Sequence, residues 1–159
     1  MTSRRCRLAL AGCLALVIVP AATAARTRTV VVISNTVTLS RHDVAPKGAS
    51  KGDTVVYRDR LVNASAQFGK QKGALVGSDA GTLTFTSANT AGYKGTARLP
   101  GGTLRIAGDV YTSTAHELVF QVTGGTGAFA GMTGTLTVGT GQDHVLNTYR
   151  LSSNAAPIA

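Results

Sequence analysis

Two stretches of the chain carry residue types at spacings that could do chemistry. Val122 to Gly131 reads VTGGTGAFAG. A strand running into Thr-Gly-Gly-Thr-Gly resembles the dinucleotide loops in which a glycine backbone approaches a pyrophosphate at a helix N-terminus. Tyr57 and Asp59, two positions apart in TVVYRDRLVN, place a hydrogen-bond donor and an acid on one face of a strand. The first pattern would make a nucleotide enzyme, the second an acid-bearing pocket. The surrounding elements have to decide between them.

A dinucleotide loop needs a helix after it and further alternating strand–helix units. The segment that follows here, MTGTLTVGTG, has period two and is rich in Thr and Gly, and only 28 residues remain after Gly131. The phosphate reading fails on this context, leaving a glycine-packed turn. Other chemistries fare no better. The chain has no Gly-x-Ser-x-Gly elbow, and six Asp and one Glu with nothing to single out a glycosidase pair. The three histidines, His42, His116 and His144, show no ligand spacing, so no metal is expected. Arg105 and Asp109 share a strand face but lie roughly 13 Å apart, which reads as surface. Asn63-Ala64-Ser65 matches a glycosylation sequon.

The elements that carry these residues read as strands. Apolar residues alternate along the chain instead of recurring at helical spacing. In ELVFQVT, Leu118, Phe120 and Val122 oppose Glu117, Val119, Gln121 and Thr123; Leu83 and Phe85 oppose a Thr row at 82, 84 and 86. Such two-faced strands belong to antiparallel sheets. Strands are expected at about 28–40, 53–62, 74–79, 81–87, 92–99, 102–110, 117–124 and 133–138. A further run at 144–151 is a candidate last strand, and 74–79 with 81–87 are a candidate single strand bulged at Gly81. Pro-Gly and Gly-Gly turns such as LPGG, Leu99 to Gly102, close the short connections. About eight such strands without helices point to a sandwich or a closed barrel, and a barrel of that size is filled or holds one small ligand.

Residues 1–25 read as a leader outside the fold, with 26–159 as one domain. Arg4, Arg5 and Arg7 precede an apolar run from Leu8 to Val19, then Pro20 and a small-residue exit, the order of a secretory signal peptide. The run falls short of the ~20 apolar residues of a membrane span. Leu10 to Cys13 resembles a lipoprotein box, but the apolar run continues past Cys13 to Val19, so plain export is expected. Both cysteines, Cys6 and Cys13, lie in the leader, which removes thiolate zinc and iron–sulfur chemistry from the domain. Subtracting the three leader arginines from 16 basic residues leaves 13 against seven acids, a net +6. These charges are dispersed, without the clustered basic stripe of a nucleic-acid module.

A family resemblance rests on an ordered set of segments. FQVTGGTGAFAGMTGTL (Phe120 to Leu136) resembles the Gly-Gly-Thr-Gly segment of dirigent proteins and allene oxide cyclase-like barrels. His42 to Thr86, with Gly-Asp opening a strand, Asp-x-Leu at its end and Val-Gly before a Gly-led strand, is similar to the front half of secreted bacterial members. GTARLPGGTLRIAGDV (Gly95 to Val110) resembles their Leu-Pro-x-Gly-Thr hairpin. The resemblance implies an all-β fold: an eight-stranded antiparallel barrel, lipocalin-like in shape, often trimeric, with an apolar pocket. It implies a small apolar or phenolic ligand as partner; no cofactor is expected, and the dispersed charges and short apolar run point to no nucleic acid and no membrane insertion. Tyr57, Asp59, Phe85 and Phe120 are the candidate ligand contacts. In an isomerase- or cyclase-like enzyme, Asp59 would be the acid and Tyr57 the orienting donor; a structural barrel with a packed interior is the third reading. Met132-Thr133 stands where dirigent proteins often carry Ala-Arg, so neither plant activity transfers on the resemblance.

Overall fold

The computed structural model describes residues 25–111, 117–140 and 144–153. The expected leader with Cys6 and Cys13, and His116, lie outside the described residues. Eight strands follow one another: β1 (Arg26–His42), β2 (Thr54–Asn63), β3 (Leu75–Ser87), β4 (Thr90–Leu99), β5 (Gly102–Tyr111), β6 (Glu117–Gly125), β7 (Met132–Thr140) and β8 (Val145–Ser153). Each pairs antiparallel with the next, and β8 returns to β1, so the sheet closes as a barrel. Closure leaves no open sheet edge.

The count of eight is reached because two open points resolve together. Residues 75–87 form one strand, and the run at 144–151 is the last strand. Gly81 interrupts nothing: it pairs with Tyr57 on β2 and with Gly95 on β4. The register shifts on β3 fall elsewhere, opposite Leu61/Val62 and between Phe85 and Ser87. Gly81 is a glycine for a different reason, because a Cβ there would crowd the rings of Tyr93 and Tyr57 inside the barrel.

Alternation places the faces as the sequence predicts. Leu104, Ile106 and Val110 are buried, as are Phe120 and Val122, while Arg105, Asp109 and Val119 face outward. The interior divides into two halves. The half near the start of β1 is filled by Val30, Val32, Leu61, Leu104, Phe129 and Leu151. The other half is open and holds the cavity described below.

The Gly-Gly-Thr-Gly segment builds the closed base. After β6 the chain makes a short 3-10 turn, Gly127–Phe129, that lowers Phe129 into the barrel until it has no exposed surface. The turn lies against the β4–β5 hairpin: Ala128 N–H donates to the Gly101 carbonyl (2.8 Å), and Thr126 N–H to the Thr103 carbonyl (2.9 Å). A Cβ at Gly102 or Gly127 would collide with the facing backbone carbonyl. The glycines therefore serve backbone-to-backbone contact. Arg28 completes the base, its guanidinium carbon 4.7 Å from the centre of the Phe129 ring and 5.0 Å from that of Phe68, within cation–π range.

The sequon reading of Asn63 is corrected here. Asn63 is fully buried, and its Nδ2 donates to the carbonyls of Gln67, Lys70 and Gln71 at 2.9, 3.1 and 3.3 Å. It ties down the loop after β2 and is closed to a glycan.

Candidate functional site

The open half of the barrel encloses a cavity of about 240 Å³. Its upper wall is hydrocarbon, with Val55, Leu83, Leu118, Leu136 and Val138 among the lining residues. Its polar side is made by Ser34, Asp59, Asp79 and Asn147. All sit at inward positions of β1, β2, β3 and β8, where a period of two brings every second side chain to the lumen.

Asp59 and Asp79 are directly opposed on adjacent strands. Like charges in that position repel across roughly 5 Å. Both are at least nine-tenths buried. Ser34 Oγ donates to Asp59 Oδ2 at 2.6 Å, and Asn147 Nδ2 lies 3.4 Å from Asp79 Oδ2. Burial, reinforced by the Asp59 charge, pushes the Asp79 carboxyl up to about 7. Its proton is therefore exchanged near neutral pH, the condition for acid–base work.

Two tyrosines floor the aromatic side. The hydroxyls of Tyr57 and Tyr93 are hydrogen-bonded to each other, with the rings nearly parallel at 8° and their centres 6.2 Å apart. Phe120 packs on Tyr93 at 4.4 Å, tilted by 47°. Burial pushes the Tyr93 phenol up to about 12 and that of Tyr57 higher still. Both hydroxyls are neutral donors. Space for the Tyr93 ring comes from Gly81 and Gly95, where a Cβ would strike its ring or hydroxyl. Gly95→Ala is thus expected to push Tyr93 into the cavity and weaken binding of a neutral aromatic probe such as 1-methylnaphthalene by about tenfold or more. Fluorescence titration checks this; unchanged affinity would mean that Tyr93 does not bound the binding space.

The structure brings three of the four sequence candidates, Tyr57, Asp59 and Phe120, into one cavity. Phe85 lies one step further toward the rim, half-buried, in an adjoining groove with Arg41, His42 and Asp53 that shares Val55 and Leu83 with the cavity. The carboxylate of Asp59 points inward, away from its neighbours Arg58 and Arg60, which are exposed. Asp79, Tyr93, Ser34 and Asn147 were not singled out from the sequence. Parity could have found all four: Ser34 shares the face of Val30 and Val32, Asp79 that of Leu83 and Phe85, Tyr93 that of Ala97 and Leu99, and Asn147 that of Tyr149 and Leu151.

Among the described residues no group of three or more His, Cys, Asp or Glu could hold a metal ion. No described helix is long and apolar enough to cross a membrane.

The family model for an allene oxide cyclase barrel like domain matches residues 33–149. No curated protein matches the sequence. Among solved structures, a pyocyanin demethylase is 26% identical with a TM-score of 0.64, the match covering 78% of this chain and 99% of that one. A pterocarpan synthase dirigent protein is 19% identical with a TM-score of 0.60, over 80% and 89% of the two chains. A Diels-Alderase from Streptomyces koyangensis is 17% identical with a TM-score of 0.58; the match covers 79% of this chain and 64% of that one.

Proposed function

The chain belongs to the allene oxide cyclase barrel-like family, and from that premise we propose that its lumen binds one small apolar or aromatic molecule. The observation that carries this reading is the half-open interior: a cavity of about 240 Å³ with hydrocarbon walls, an aromatic floor and a few convergent polar groups, the make-up of a small-molecule site. Its volume is that of about eight liquid waters, enough for a body of one or two rings. The leader-like N-terminus supports export as the setting for this binding.

A second reading is favoured by the carboxyl pair. An acid exchanging its proton near pH 7 beside a second carboxylate can give and take a proton from a held substrate. That fits an isomerase- or cyclase-type reaction achieved mainly by orientation, with Asp59 and Tyr57 as the catalytic candidates and Asp79 as the proton-holding partner. Solved barrels of this shape include ones named for cycloaddition and demethylation.

Native mass spectrometry of residues 26–159 purified from the protein's own host tests the first reading and reports the oligomeric state. A retained small apolar mass is expected, and Phe120→Asp is expected to release it in a variant that still folds. A bare protein that also refuses phenolics and bicyclic aromatics, neutral and charged alike, would return the interior to a structural role.

A further inference from the structure

The polar side of the cavity is short of hydrogen-bond donors. Asp59 Oδ1, Asp79 Oδ1 and Asn147 Oδ1 are all buried with no partner. Asp59, Asp79 and Asn147 are 9%, 5% and 4% exposed, and all three line the cavity. Most local donors are engaged: Ser34 Oγ donates to Asp59, Asn147 Nδ2 lies toward Asp79, and one of the two hydroxyl protons of Tyr57 and Tyr93 is spent between them. The Tyr149 hydroxyl is buried without a hydrogen-bond partner. Buried acceptors without donors are costly, and two opposed carboxylates add repulsion.

We infer that the lumen selects an organic cation, a small aromatic or apolar body bearing a protonated or alkylated nitrogen, with its charge against Asp59 and Asp79. The inference rests on the binding reading above and names the ligand's charge. A positive nitrogen in the cavity would offset the charge of the opposed carboxylates, an attraction that the low-dielectric lumen strengthens. Tyr93 and Phe120 line the same cavity, and aromatic rings also attract a cation. A hard metal ion fits poorly, since it demands six or more oxygens and most of the remaining wall is Leu, Val and aromatic rings. A carboxylate or phosphate would meet like charge on both sides.

Three bicyclic probes of matched shape test the inference: cationic N-methylquinolinium, neutral 1-methylnaphthalene and anionic 1-naphthoate, titrated at pH 8 where Asp79 is largely ionised. The cation is expected to bind at least about tenfold tighter than the neutral probe, and the anion weakest. Asp79→Asn keeps the shape of the site and is expected to bring cation and neutral probe within about threefold of each other. If the neutral probe binds as well as the cation in the unaltered protein, charge selection is overturned while the lumen reading stands. If none of the three binds, the lumen reading falls and the inference with it. A cation preference that survives Asp79→Asn and Asp59→Asn together would place the cation elsewhere on the protein and overturn the assignment.

Discussion

Asp79→Asn is expected to make the protein more stable at pH 8 and to flatten its stability between about pH 4 and pH 7. The sign follows from where the proton sits. Asp79 has an ordinary value of 3.8 and is held at about 7 in the fold, by burial first and by the Asp59 charge second. Between those values the folded chain binds a proton that the unfolded chain has released, so stability falls as pH rises. Below about 4 both states are protonated, and above about 8 neither is, so the loss is complete. At 1.36 kcal/mol per pH unit, moving the carboxyl from 3.8 to about 7 bounds the loss at about 4 kcal/mol. An asparagine cannot ionise, and its carbonyl still accepts from Asn147, whose Nδ2 now faces Asp79 Oδ2. A rise in Tm on the order of 5–10 °C at pH 8 follows for a domain of this size, shrinking toward zero at pH 4. Thermal unfolding of both proteins across that range decides the matter; parallel curves would mean that Asp79 is not held protonated by the fold. A site that destabilises its own scaffold is the pattern expected where a group is kept for function.

The same carboxyl shows how far the sequence could be read. Strand alternation was legible because a closed barrel has an inside and an outside, and a period of two records it directly in Leu118, Phe120 and Val122. Outside β2, however, apolar residues alone mark the inward set in the sequence. Asp79 sits on the face of Leu83 and Phe85 with Gly81 between them, and the glycine read as an interruption. In the barrel that glycine makes room for Tyr93 and Tyr57, so the apparent break was a mark of the site. Asp59 was legible through position and resemblance. Its opposition to Asp79 depends on the β2–β3 register, and its bond to Ser34 on a strand 25 residues away; neither is written in local sequence. Phe85 was read into the site because parity cannot say at what height along the barrel a residue stands. The glycine-rich segment illustrates a further limit: a positive φ at Gly127 and the passage of one backbone against another leave the same glycine signature as a phosphate loop. The period-two segment that follows, in place of a helix and further strand–helix units, separates the two.

Removal of the Phe129 ring is expected to cost the fold about 3–5 kcal/mol, the range for a buried aromatic truncated to alanine. Phe129 has no exposed surface, packs with the base cluster, and carries Arg28 on its face. Phe129→Ala therefore leaves a void and strands a guanidinium whose stem lies along the barrel wall. Against a total stability of roughly 5–15 kcal/mol, that loss brings the chain near its unfolding threshold at physiological temperature. Gly127→Ala should reach a similar end without touching the ring. Its φ of +59° disfavours any side chain, and the new methyl group would collide with the Gly101 carbonyl, lifting the turn that seats Phe129. Urea unfolding monitored by far-UV circular dichroism measures both variants, with the midpoint falling and the slope unchanged if the folded base stays compact. A loss below about 1 kcal/mol for Phe129→Ala would show that the ring does not close the base. The cavity lies in the other half of the barrel and shares no lining residue with the 3-10 turn. Where the variants remain folded, at low temperature, their affinity for N-methylquinolinium should match that of the unaltered protein. Phe129 would then bear on folding alone, whereas Asp79, in the other half of the barrel, is expected to bear on both folding and ligand choice.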